Sequence, residues 1–172
     1  MTTEANPSEW ILRPVTPEDA HGLYTLFEAM TQEGKAAFHP HPFDFATARA
    51  VARGEQIQGP VWVAVMGDWL GGYGFLAGWK HPWPSLGVNV DPKAQGQGLG
   101  TALVRQLLAV AREAGKAGVT LTVYQDNLAA VAVYRAVGFE TTRALWVMEL
   151  DFAERRFHTN VGPQAKEKGD LR

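Results

Sequence analysis

The segment Val90-Asp91-Pro92-Lys93-Ala94-Gln95-Gly96-Gln97-Gly98-Leu99-Gly100-Thr101 constrains this chain more than any other. Ser85 to Val90 reads as a strand, and Pro92, which lacks an amide donor, stops it. Three glycines follow at alternate positions. Leu99, Leu103, Leu107 and Val110 then recur at helical spacing to about Ala114. A strand, a break, a glycine loop and a helix in that order leave the first helical amides unpaired, and the missing Cβ atoms let a ligand approach them. Such an end favours an anion, above all a phosphate or diphosphate. The dinucleotide fingerprint G-x-G-x-x-G fails, because Thr101 stands at the sixth position from Gly96, and the lysine of a P-loop is missing. Gly72-Tyr73-Gly74-Phe75-Leu76-Ala77 fits a relaxed form of that fingerprint, but Lys80-His81-Pro82 follows it instead of a helix, so its glycines belong to a strand. The residues alone leave two readings of the loop: an anion cradle, or a glycine turn with no ligand.

The rest of the chain is punctuated clearly. Residues 10–13 read as a short strand. Thr16-Pro17-Glu18-Asp19 starts a helix whose Ala20, Leu23, Phe27 and Met30 share one face. A loop is expected from Gly34 to Pro42, then a helix over 44–53 ended by Gly54. Strands over 61–66 and 69–79 form a hairpin about Gly67-Asp68. Residues 119–124 read as a strand, 127–137 as a helix capped by Asn127 and ended by Gly138, and 139–151 as mostly strand. Residues 155–172 are polar and aperiodic, as a terminal tail would be. Hairpin-joined strands followed by strand–helix units predict an α/β fold: a mixed sheet with helices on both faces.

Composition narrows the function. A chain of 172 residues makes one domain. It has no cysteine, which excludes disulfides, thiolate metal sites and a cysteine nucleophile. Sixteen Lys and Arg against eighteen Asp and Glu leave no global charge for nucleic acid. No apolar run reaches the roughly 20 residues of a membrane span, and Met1 to Pro7 has neither the basic start nor the apolar core of a signal peptide. The expectation is a soluble cytoplasmic protein with no nucleic-acid or membrane partner.

Gln95-Gly96-Gln97-Gly98-Leu99-Gly100 resembles the Q/R-x-x-G-x-G/A segment of the GNAT acyltransferase superfamily. Downstream, the stretch from Asp126-Asn127 through Tyr134 to Gly138-Phe139-Glu140 resembles that family's N-x-x-A…Y-x-x-x-G-F signature. The element order over about 10–151 also agrees. The resemblance implies a single GNAT domain over 1–152, with 153–172 as a tail. It implies a mostly antiparallel sheet with a V-shaped splay between the fourth strand, 86–90, and the fifth, 119–124. It further implies acetyl-CoA as cosubstrate and transfer of acetyl to a primary amine, on a small molecule or a protein, by direct attack in a ternary complex. A GNAT-fold module that senses acyl-CoA without turnover is the alternative.

By the same resemblance, pantetheine bonds to the strand at Val88, Asn89 and Val90, and the Val90 amide polarises the thioester carbonyl. The diphosphate rests on Gln95, Gly96, Gln97, Gly98, Leu99, Gly100 and Thr101. Asn127 contacts the coenzyme arm, and Tyr134, two helical turns on, is the acid that protonates the departing thiolate. As a helix cap, Asn127 has an ordinary structural role as well. The general base is not assigned: the fourth strand carries no carboxylate, which leaves His39, His41, His81, Asp91, Asp126 or a water relay. Phe38, His39, His41, Phe43, Trp79, His81 and Trp83 are the expected acceptor-lining residues; the aromatics among them also suit a core or a homodimer interface. His39 and His41 make a poor metal pair without a third ligand, so no metal is expected.

Overall fold

The computed structural model describes residues 9–38 and 40–143. One compact unit ends at Phe139, and the described part of the next, residues 140–143, holds no helix or strand. Strands β1 (Ile11–Pro14), β2 (Val61–Met66), β3 (Trp69–Ala77) and β4 (Ser85–Val90) form one antiparallel sheet in chain order. The helices are α1 (Ala20–Ala29), α2 (Gln32–Ala37), α3 (Phe45–Ala52), α4 (Leu99–Glu113) and α5 (Leu128–Ala136). None is long and apolar enough to cross a membrane.

Three expectations meet corrections. The loop expected from Gly34 contains the last turns of α2, which Thr31 starts by accepting the Gly34 amide at 3.0 Å. The glycine hid a helix whose cap lay three residues earlier. Residues 119–124 do not form a ladder with the described strands. They meet the sheet at one parallel bridge, Ser85 to Thr120. Of the strand expected over 139–151, residues 139–143 are irregular, and the remainder lies outside the described residues, as does the tail.

The sheet buries both faces. Leu23, Leu26 and Phe27 of α1 and Val51 of α3 pack on Val63, Tyr73 and Phe75. On the other face, Val104 and Leu107 of α4 pack on Leu76 and Leu86. The glycines of β3 set how deeply α4 seats. A Cβ on Gly74 would stand 2.8 Å from both Leu107 Cδ1 and Val88 Cγ2, closer than real carbons approach. Those glycines are packing residues, as the absence of a following helix implied.

Asp19, 7 % exposed, anchors the turn before α1. Arg13 donates Nη1 to its Oδ2 and Nη2 to its Oδ1, both at 2.7 Å, and the Thr16 amide donates to Oδ2 at 2.8 Å. Burial pushes the carboxyl pKa up, but the Arg13 hydrogen bonds, the Thr16 amide and the Arg13 charge together hold it below the ordinary value. A depressed folded pKa stabilises above the unfolded value of roughly 3.9 and is lost as pH falls through the folded pKa. The urea midpoint is therefore expected to drop between about pH 5 and pH 3, and Asp19→Asn should remove part of that drop. Equal pH slopes in both proteins would show that the pair carries no such linkage.

Candidate functional site

The site begins at the free edge of β4. The Leu86 amide donates to the Thr120 carbonyl at 2.8 Å, and the Thr120 amide to the Pro84 carbonyl at 3.0 Å. Leu86 therefore turns its peptide groups away from β3. With a period of two, Val88 and Val90 do the same, while Asn89, register partner of Tyr73, faces β3. Beyond Leu86 the two backbones pair no further, so a wedge opens along Val88 and Val90. Pro92 opens a short 3-10 turn, Pro92–Ala94, that Asp91 caps by accepting the Lys93 amide at 2.8 Å.

The glycine loop continues from this edge. Gly96 and Gly98 have φ of 75° and 78°, a left-handed backbone that side chains with a Cβ resist. An ideal Cβ at either position has nothing within 4 Å, so the loop surface is open. Gly98 caps α4, its carbonyl accepting the Ala102 amide at 3.0 Å. Among the described residues, no amide from Gln95 to Thr101 donates to a protein acceptor. Gln95 folds its side chain back, Nε2 donating to the Val90 carbonyl at 3.2 Å. Leu99 sends its side chain into the core beside Leu103 and Ala94. What remains outward is a row of amide donors at the positive end of a fifteen-residue helix.

The other wall comes from α5. Asn127 caps it, Oδ1 accepting the Ala130 amide at 3.2 Å. Tyr134 packs in the same apolar cluster as Leu86, Val88 and Leu121, with its ring edge-on to Phe139 at 5.7 Å. Burial pushes its phenol pKa up, so the hydroxyl stays protonated at neutral pH. That hydroxyl has no protein partner among the described residues.

The expected acceptor-lining residues divide into two groups. Phe38, His41 and Phe43 gather around Tyr73 and Phe27. Trp79, His81 and Trp83 lie instead near the turn after α4. Lys116 sits 4.4 Å over the Trp79 ring, and the Trp83 ring occupies the space where a Cβ on Gly118 would be. His39 lies outside the described residues.

Two base candidates are spoken for. His41 is 8 % exposed, and its Nδ1 lies 2.7 Å from the Pro42 carbonyl, which can only accept. Nδ1 thus carries the proton, and Nε2 accepts from the Tyr73 hydroxyl at 3.0 Å. Burial lowers the His41 pKa and raises that of Tyr73, so the pair is neutral. Asp91 is occupied by the Lys93 amide and by Trp69 Nε1 at 3.3 Å. His81 Nδ1 accepts the Trp83 amide at 2.9 Å, and Asp126 stands exposed before α5. Asn89, expected on the coenzyme strand, has one feature that sequence reading missed: its Nδ2 is a buried donor with no partner among the described residues, on the sheet face of Tyr73. Its position in a strand carried no signal for that. No cluster of three potential metal ligands occurs among the described residues.

Comparison with known proteins places this geometry. A mycothiol acetyltransferase of Thermobifida fusca is 33 % identical over 135 residues, covering 77 % of this chain and 40 % of the relative. An N-alpha-acetyltransferase RimI of Mycobacterium tuberculosis is 50 % identical over 54 residues, covering 31 % of this chain and 32 % of that protein. The chain thus spans less than half of these curated relatives. A putative acetyltransferase, yncA, from Salmonella typhimurium, whose structure holds acetyl-CoA, superposes with a TM-score of 0.68 at 22 % identity, over 79 % of this chain and 82 % of that one. The sequence pattern of the acetyltransferase (GNAT) family matches residues 21–139, a span that holds the free β4 edge, the glycine loop and Tyr134 alike. With the fold, the loop and the second signature agreeing over that span, the chain belongs to the GNAT family.

Proposed function

We propose that this chain is an N-acetyltransferase that moves acetyl from acetyl-CoA to a primary amine by direct attack in a ternary complex. The observation that carries the reading is the run of backbone groups with no partner among the described residues, from Val88 and the Val90 amide to the amides of Gln95–Thr101. The free edge suits the amides of pantetheine, as an added strand would. The open, Cβ-free loop suits a diphosphate. Bound there, acetyl-CoA supplies an activated acetyl thioester.

The residues then divide the work. The edge amide of Val90, or of Val88 beside it, holds the charge that gathers on the carbonyl oxygen, a contribution of roughly 3 kcal/mol per donor. The Tyr134 hydroxyl, in the apolar cluster that holds Val88, would serve the departing sulfur. A free phenol, near 10, is a weaker acid than a thiol, near 8.5, so full transfer to a free thiolate is uphill by about 2 kcal/mol. Burial raises that gap. Tyr134 therefore donates only in step with proton loss from the attacking amine, so that no phenolate accumulates. The proton it gives up is replaced by the one the attacking amine loses as its N–C bond forms. Asn127 fixes the start of α5 and through it the height of Tyr134.

Saturating acetyl-CoA, at about a hundredfold over Kd, is expected to stabilise the protein by about 2.7 kcal/mol and raise Tm by about 5–10 °C. No shift at all would overturn the coenzyme site. Thiol release on adding amines separates an enzyme from a module that only binds. Gly98→Val places a β-branched residue at φ 78°. Its expected cost is roughly 1–2 kcal/mol of stability, and acetyl-CoA binding should weaken about tenfold because the loop amides turn away. Calorimetric titration showing unchanged affinity would remove the loop from the site.

A further inference from the structure

A cavity of about 300 Å³ lies on the sheet face opposite α4. Phe75 and Gly87 are register partners, as are Ala77 and Ser85, so all four face it. The Phe75 ring lies directly over Gly87, where a Cβ would meet it at 2.3 Å. Phe38 closes one side, its ring 6.2 Å from that of Phe75, and Thr122 closes the other. Thr122 stands two residues beyond Thr120, whose carbonyl holds Leu86. The cavity therefore adjoins the point where β4 and residues 119–124 part, the closed end of the wedge assigned above to the thioester arm.

None of the described residues lining this cavity carries a charge. The polar side chains there are the hydroxyls of Ser85 and Thr122. A second ammonium on the acceptor would shed its water with no carboxylate among the described lining residues to meet it, and a carboxylate would find no cation among them. A compact apolar group gains by leaving water against Phe38 and Phe75. The volume is at the small end for ligand pockets, room for one ring on a short chain.

We propose that this cavity receives the acceptor, and that the acceptor is a primary monoamine bearing one compact, uncharged apolar group, such as a single aromatic ring. The inference rests on the acetyltransferase reading above. It also bears on the unassigned base, since β4 carries no carboxylate. Packing the apolar group against Phe38 and Phe75 sheds part of the water around the neighbouring ammonium, which disfavours the charged form. The neutral, nucleophilic form is then selected by burial, with less demand on a dedicated base.

The test uses the full chain and thiol release with 2-phenylethylamine, hexylamine, 1,4-diaminobutane and spermidine. The expected result is a kcat/KM for 2-phenylethylamine at least about tenfold above that for 1,4-diaminobutane, in line with the roughly 10–200-fold that apolar pockets discriminate. Ser85→Asp sets a carboxylate on an exposed strand position at the cavity. It should narrow that ratio at least about tenfold while the Tm shift with acetyl-CoA stays the same. Phe38→Ala should raise KM for 2-phenylethylamine more than for 1,4-diaminobutane. Equal or better use of the diamine or spermidine by the wild type, or a ratio unmoved by Ser85→Asp, would overturn the assignment and leave the transferase reading standing. If no amine releases thiol, titration of 2-phenylethylamine into protein saturated with coenzyme A decides. Binding that Ser85→Asp weakens keeps the cavity as an apolar-amine site and overturns only the transfer reading. No binding overturns the cavity assignment itself.

Discussion

Tyr134→Phe is expected to lower kcat for amine acetylation by about 10²–10⁴-fold while leaving acetyl-CoA affinity within a few-fold of wild type. The substitution deletes one oxygen and keeps the ring, so the packing against Phe139 and the cluster with Leu86 and Val88 survive. What disappears is the hydroxyl, which has no protein partner among the described residues and is held protonated by burial. A hydroxyl that merely satisfied a fold contact would cost stability when removed. This one should cost turnover. The loss should also depend on the leaving group: a thioester with a more acidic thiol needs less help, and the gap between variant and wild type should shrink with it. Steady-state kinetics with two thioesters, beside a calorimetric titration, separate these contributions. Unchanged kcat would remove Tyr134 from the chemistry.

Leu107→Ala is expected to destabilise the protein by about 3 kcal/mol, within the roughly 2–5 kcal/mol typical of such truncations. Leu107 is fully buried, and its Cδ1 lies over Gly74, where β3 offers no side chain to move into the void. The expected drop in Tm is about 6–12 °C, measured by urea or thermal unfolding. The two positions are also coupled. Gly74→Ala should destabilise the wild type by overpacking and should do so less in the Leu107→Ala background, because one of the two carbons its Cβ meets is gone. Strictly additive losses would show that the contact between helix and strand does not set the packing here.

Much of this site was legible in the sequence because it is made of backbone. Gly96 and Gly98 announce a left-handed loop, Pro92 announces the end of pairing, and the leucines announce the helix that follows. Such signals are local and survive without knowledge of tertiary contacts. The acceptor side was less legible for the opposite reason. Trp79 and Trp83 look like the same kind of residue as Phe38 and Phe43, but β3 and the turn after it carry them to Lys116 and Gly118. Residue type gives the chemistry of an aromatic wall; topology alone says which wall. The helix α2 was hidden by Gly34, which its own Thr31 cap made harmless. Residues 119–124 alternate like a strand but meet the described sheet at one bridge, an outcome set by pairing partners and invisible to periodicity.

The bare stretch of β3 beneath α4 has one more consequence. The helix whose Leu103 and Leu107 rest on Gly72 and Gly74 is the same helix whose first turn presents the loop amides. Its depth of seating fixes the offset between those amides and the edge groups of Val88 and Val90. If the coenzyme lies as proposed, the span from diphosphate to thioester is gauged by how closely α4 seats on Gly72 and Gly74. Remodelling the core there would recalibrate the ruler against which the coenzyme is measured, with no residue of the cleft itself replaced.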